Sequence, residues 1–175
     1  IKEQISGDEN SNFPLFDKTQ KNFNLKIKKA FIDKEHNLLN INGDFKILKN
    51  KIIDLDLKSS FSDEKAVSLT IRKSNDSIIT TFYSELAKPF VKKIKFIKGF
   101  EEGQIDFSST KKADESTSSL KIYDFKLKEL PALTKVLTLA SLQGISDLLT
   151  GEGVRFDEFE MIFSNKDKIM KIDEI

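Results

Sequence analysis

Ile53-Asp54-Leu55-Asp56-Leu57-Lys58-Ser59-Ser60-Phe61, followed after a short polar gap by Val67-Ser68-Leu69-Thr70-Ile71-Arg72, repeats with a period of two. That is the period of a half-buried β-strand, in which successive side chains point to opposite faces. Upstream, Phe23, Leu25, Ile27 and Phe31 keep the same beat with Asn24, Lys26 and Lys28 between them. Leu39 and Ile41, then Phe45 and Ile47, straddle Asn42-Gly43, a hairpin-turn signal. Downstream, the polar cluster Lys73-Ser74-Asn75-Asp76-Ser77 separates this stretch from Ile79, Thr81 and Tyr83. The pattern predicts antiparallel strands in succession, joined by short hairpins.

The beat breaks at Ser84 to Gly99, where Leu86, Phe90, Val91, Ile94 and Ile97 surround Pro89 at helical or mixed spacing; a short helix or paired turns is expected near 85–98. Strands resume with Ile105 and Phe107. After the polar loop from Lys111 to Ser118 they continue through Leu120, Ile122, Phe125 and Leu127, with a phase change near Asp124 that reads as a bulge. Val154 to Ser164 and Lys168 to Ile175 read as the last two strands, joined at Asn165-Lys166-Asp167. Because Ile175 falls within a strand, the sheet is expected to continue in a longer parent protein. Residues 1–22, rich in Asp, Glu, Asn, Ser and Lys, are expected to be a loosely ordered segment, and residues 23–175 a single β-rich module.

One long helix is predicted over about 131–150, led by Pro131 and closed by Gly151 and Gly153. On it Leu133, Val136, Leu137, Ala140, Gly144 and Leu148 form a stripe suited to the sheet. Leu139, Leu142 and Leu149 fall on its back among Lys135, Thr138 and Ser146, and call for lipid, a partner or further chain. A sheet of about nine strands runs roughly 40 Å across, whereas such a helix is only about 28 Å long. The apolar face is therefore expected to curl into a groove or to hold something else.

Composition narrows the chemistry. Among 175 residues, 29 Lys and Arg face 28 Asp and Glu, for a net charge of +1, and only Arg72 and Arg155 are arginine, which is no nucleic-acid footprint. The chain has no Cys, so disulfides, thiolate metal sites and cysteine nucleophiles drop out. His36, the only histidine, lies in Asp33-Lys34-Glu35-His36-Asn37 and reads as an exposed turn residue. Asp54 and Asp56 share one side of a strand and would suit a cation or acid–base chemistry, but a solvated strand face beside Lys51 and Lys58 is the plainer reading. Gly151-Glu152-Gly153 follows a helix, so it is a cap and not a phosphate cradle. Lys88, Lys92, Lys93, Lys95 and Lys98 suit either a solvated rim or anionic headgroups. No catalytic, cofactor or metal residue is assigned, and no window reaches the length of a membrane span.

Leu120-Lys121-Ile122-Tyr123-Asp124-Phe125, Leu130-Pro131-Ala132-Leu133 and the run from Val136 through Ala140-Ser141-Leu142-Gln143-Gly144 to Gly151-Glu152-Gly153-Val154-Arg155-Phe156 resemble the C-terminal region of AsmA-like envelope proteins of Gram-negative bacteria, in particular their YhdP- and TamB-related members. The resemblance implies a periplasmic module of a protein held in the inner membrane by an anchor outside this chain. It implies an elongated, curled antiparallel sheet forming an apolar groove that passes phospholipids between the inner and outer membranes. It carries over no catalytic residue, and it makes Pro131, Ser141, Gly144, Gly151, Gly153 and Phe156 structural, with the small residues permitting close approach of helix and sheet. The expected partners are phospholipid acyl chains. A second expectation is an envelope scaffold that helps outer-membrane proteins assemble through open sheet edges. An enzyme working through Asp54 and Asp56 is the least favoured reading.

Overall fold

The computed structural model describes residues 19–92, 99–128, 153–167 and 169–175. Nine strands form a single antiparallel sheet: β1 (Lys21–Phe31), β2 (Asn37–Leu48), β3 (Lys51–Ser60), β4 (Ala66–Ser74), β5 (Ser77–Ser84), β6 (Phe100–Lys112), β7 (Glu115–Leu127), β8 (Val154–Lys166) and β9 (Ile169–Glu174). Their spatial order is their chain order, and the sheet is not closed. The chain is thus mainly β, as its alternation predicts. The only helix among the described residues is α1 (Lys88–Val91), with Pro89 in its first turn, inside the segment where a short helix or turns were expected. The helix predicted over 131–150, with Pro131, Leu139, Ser141, Leu142, Gly144, Leu149 and Gly151, lies outside the described residues, as does most of the opening polar segment.

Register divides the sheet into two chemical faces. Leu25, Gly43, Leu57, Leu69, Phe82, Phe107, Leu120 and Met161 are successive cross-strand partners on one face. The adjacent row on the other face reads Asn24, Asp44, Asp56, Thr70, Thr81, Ser108 and Ser119. Such segregation stabilises the sheet from one side only, so that face must find cover. Over β5 to β8 part of the cover is α1: Ala87 and Val91 join Phe100, Ile105, Ile122 and Phe125 in a buried cluster, with Phe82, Phe90, Leu120, Leu127, Phe156 and Phe159 packed around it.

Several local expectations are corrected. Asn42-Gly43 is no turn: Asn42 pairs with Lys26 and Gly43 with Leu25, inside β2. Asn40 takes a φ of 51° where the β2–β3 register shifts, and the chain reverses instead at Lys49-Asn50, both at positive φ. Gly43 serves close approach, because a Cβ there would lie 3.0 Å from the Asp56 carbonyl oxygen. In β5 the inward residues are Ile78, Thr80, Phe82 and Ser84, not Ile79, Thr81 and Tyr83. The tight Asn75-Asp76 turn pairs Ser74 with Ser77, and that register fixes the phase of everything after it. The last strand begins at Ile169, with β8 running on through Lys166.

The phase change near Asp124 is real, but it is not a bulge of two residues against one. Buried Ile122 and Phe125 are three apart, and so are buried Phe100 and Gly103 in β6. Glu102, Gly103 and Asp124 all take positive φ, yet β6–β7 and β7–β8 keep an unbroken register. Neighbouring strands therefore jog together.

Candidate functional site: the apolar face of the sheet

The site is built from the inward positions of all the inner strands. Toward β1–β4 that face is only partly covered: Ile41, Leu55 and Val67 are buried, whereas Leu25, Phe45, Ile47, Leu57, Leu69 and Ile71 are half-buried and Ile27 is 39% exposed. Phe23 stacks on Phe45 across the β1–β2 pair, with ring centroids 4.9 Å apart. At β6–β8 a second aromatic ladder crosses the sheet. Phe100 stacks on Phe125 at 5.3 Å, and Phe125 on Phe156 at 5.2 Å, with interplanar angles of 13° and 11°. Phe156 is the last rung of that ladder. Gly153, just ahead of β8, has a φ of +88°, and a Cβ there would sit 2.8 Å from the Leu127 carbonyl oxygen.

The connections at one end of the sheet brace α1 over this face. Phe90 meets Phe82 edge-on at 4.8 Å and Phe61 at 6.4 Å, and Phe61 in turn meets the His36 ring. The Ala87 N–H donates to the Gly103 carbonyl (2.7 Å). Lys88 pairs with Glu101, and Lys92 with Glu35 at 2.9 Å, so these two lysines of the basic run anchor the helix; Lys93, Lys95 and Lys98 lie outside the described residues. The hydrogen bond from Lys88 holds the Glu101 carboxyl below its ordinary range against the opposing effect of desolvation.

His36 is not an exposed turn residue. Its side chain is 17% exposed, its Nδ1 lies 3.0 Å from Asp33, and its ring edge rests on Phe61. Desolvation pushes the Asp33 carboxyl up, but backbone N–H groups of Glu35 and His36 and the imidazole together hold it below its usual value. The unit closes the β1–β2 loop.

On the polar face Asp54 and Asp56 do come together, around a third residue. Arg72 Nη1 donates to Asp54 and Nη2 to Asp56, each at 2.9 Å, and Lys46 lies 3.4 Å from Asp54. A hollow of about 420 Å³ beside them is lined by Asn22, Asn24, Asp44, Lys46 and the two Asp together with Phe23 and Phe45. A guanidinium fork between two carboxylates leaves neither available as a general base without breaking an ion pair. The spacing made the Asp pair visible in sequence. The fork follows from the register, which sets Arg72 opposite Asp54. Glu102 is likewise taken by Arg155 (2.9 Å) and Lys126, and Glu160 by Lys121 (3.0 Å). Among the described residues no group of three or more His, Cys, Asp or Glu is placed to hold a metal ion.

Fold and site together define an open, single-sheet β-meander with one apolar face, partly covered, and one face of paired charges. No family model, curated protein or solved structure matches the chain.

Proposed function

We propose that this chain is a non-enzymatic lipid-binding module, part of a periplasmic groove that carries phospholipid acyl chains between inner and outer membranes. The observation that carries the reading is the half-buried apolar face over β1–β4, continuous in register from Leu25 to Leu69. Contiguous apolar surface that its own sheet does not bury loses the hydrophobic stabilisation of roughly 25 cal/mol per Å² unless a ligand or partner covers it. Extended acyl chains match a surface of this form: several strands wide and lined by Leu, Ile and Phe. The resemblance of residues 120–156 to AsmA-like proteins supports the same reading. Titration with a fluorescent fatty acid should give saturable uptake that unlabelled phospholipid displaces, and Leu69→Gln should weaken it several-fold. If the purified protein takes up no acyl chain and carries no phospholipid, the reading fails.

A second reading, a scaffold for outer-membrane protein assembly, draws on the β9 edge, where Ile169, Met170 and Ile172 are 71%, 56% and 48% exposed. Strand addition at an edge is an established route to peptide recognition. Crosslinks from β9 to β-barrel precursors, with none to lipid, favour it.

A further inference from the structure

The β2–β3, β4–β5 and β6–β7 connections are tight hairpins at one end of the sheet, while α1 and the β1–β2 and β3–β4 connections lie at the other. Toward the hairpin end the apolar face changes character. The row Phe23, Phe45, Leu55 and Ile71 continues on β5, β6 and β7 as Thr80, Ser109 and Ser118. Ser118 is 5% exposed, and its hydroxyl meets that of Ser109 at 2.9 Å. One row farther out, Lys73 pairs in register with Ile78 and Ile78 with Lys111, so two lysines flank an isoleucine on the same face. Two strand spacings put them roughly 10 Å apart.

Both lysines are exposed, and neither makes an ion pair among the described residues. On the opposite face Lys46, Arg72, Lys121 and Arg155 all have carboxylate partners. Among the described residues, the inward positions of β2 to β8 include no Asp or Glu. A purely apolar occupant has no use for a row of hydroxyls and two unpaired cations on the surface it covers. An amphiphile does, if its charge is negative and its polar end lies at the hairpins.

From this arrangement we infer that the hairpin end of the face, at Lys73 and Lys111 with the Thr80-Ser109-Ser118 row behind them, receives the anionic headgroup of a lipid whose chain lies along the apolar rows. The inference rests on the lipid-binding reading above and gives the groove a polarity. Lysines act on an anionic lipid as point charges. The half-buried Thr80 and Ser109 hydroxyls supply donors and acceptors for ester or phosphate oxygens, while buried Ser118 holds Ser109 from behind by donating to it.

The test compares dodecyl phosphate with dodecanol by titration calorimetry below their aggregation concentrations. The wild-type protein should bind the phosphate about tenfold more tightly than the alcohol, the size expected of one to two cations at close range. The double substitution Lys73→Gln with Lys111→Gln should abolish that preference and leave dodecanol affinity unchanged; both side chains are exposed, and far-UV circular dichroism checks the fold. Lys26→Gln with Lys58→Gln, on the opposite face, should keep the preference. Equal binding of the two amphiphiles, a preference that survives in the Lys73/Lys111 variant, or one lost equally in the opposite-face variant overturns the headgroup assignment while leaving the acyl groove standing. If neither amphiphile binds, both inferences fall.

Discussion

Ser59 lies on the inward face of β3, opposite Val67 of β4, and its hydroxyl is buried without a hydrogen-bond partner among the described residues. A buried polar atom left unpaired costs about 1–3 kcal/mol, because folding strips its water and returns nothing. Alanine at that position keeps the strand and removes the cost. Ser59→Ala is therefore expected to raise stability by about 1 kcal/mol, read as a higher urea midpoint at unchanged slope. A loss of similar size would show that the hydroxyl is satisfied in solution. The alternation Ile53, Leu55, Leu57, Ser59, Phe61 already put this serine on the inward side. What one strand cannot say is whether any donor or acceptor stands across from it. The same divide separates Asp54 and Asp56, visible as a pair two residues apart, from the Arg72 that joins them.

At the scale of strands, Gly103 and Asp124 let β6 and β7 change phase together. Gly103 has φ +78°, and an added Cβ would stand 2.9 Å from the Phe125 Cβ, so alanine meets both backbone strain and a neighbour in the aromatic ladder. Gly103→Ala should cost about 2–3 kcal/mol by chemical denaturation. A cost under about 0.5 kcal/mol would mean that the jog is loosely held. Strand existence was legible because period two is a local signal, and the slip at Asp124 was legible because Ile122 and Phe125 break that period. That it is shared between strands was not, since only pairing tells a bulge from a jog. The hairpin signal at Asn42-Gly43 misled because the residue pair fits a turn equally well as a strand crossed closely by its neighbour. Ile79, Thr81 and Tyr83 follow the correct period in the wrong phase, which depends on turn length and not on hydrophobicity. His36 departs from its expected exposure for a related reason: Phe61, whose ring meets it edge-on, is a neighbour only in the fold.

For the whole molecule, a net charge of +1 with cations and carboxylates interleaved on one face makes stability depend on pH at both extremes. Hydrogen bonds from Lys88, Lys92, Lys166 and Lys65 hold the Glu101, Glu35, Glu115 and Asp63 carboxyls below their ordinary values. Glu102 is opposed by desolvation yet is also held low, by Arg155 and Lys126. A carboxyl lowered in the folded state contributes stability above its unfolded value, which is lost as pH falls through the folded one. Lys92, Lys121 and Lys166 are raised, chiefly by the hydrogen bonds they donate to Glu35, Glu160 and Glu115; their contribution is full below the unfolded value and lost as pH rises through the folded one. Tyr83 is raised by desolvation, then by Glu85 and Asp106, and acts in the same direction. With ordinary values of 3.8 and 4.5 for the carboxyls and 10.5 for the lysines, thermal midpoints should form a plateau between those limits and decline on both sides. Most of these pairs are exposed, so each contributes little and molar salt should flatten the acid limb by screening. The acid limb should also be shallower in Lys88→Met, which frees Glu101 from its first partner. A midpoint that climbs as the pH is lowered from 5 toward 3, scanned in roughly half-unit steps by far-UV circular dichroism, would contradict the ion-pair account of how α1 and the outer strands are held.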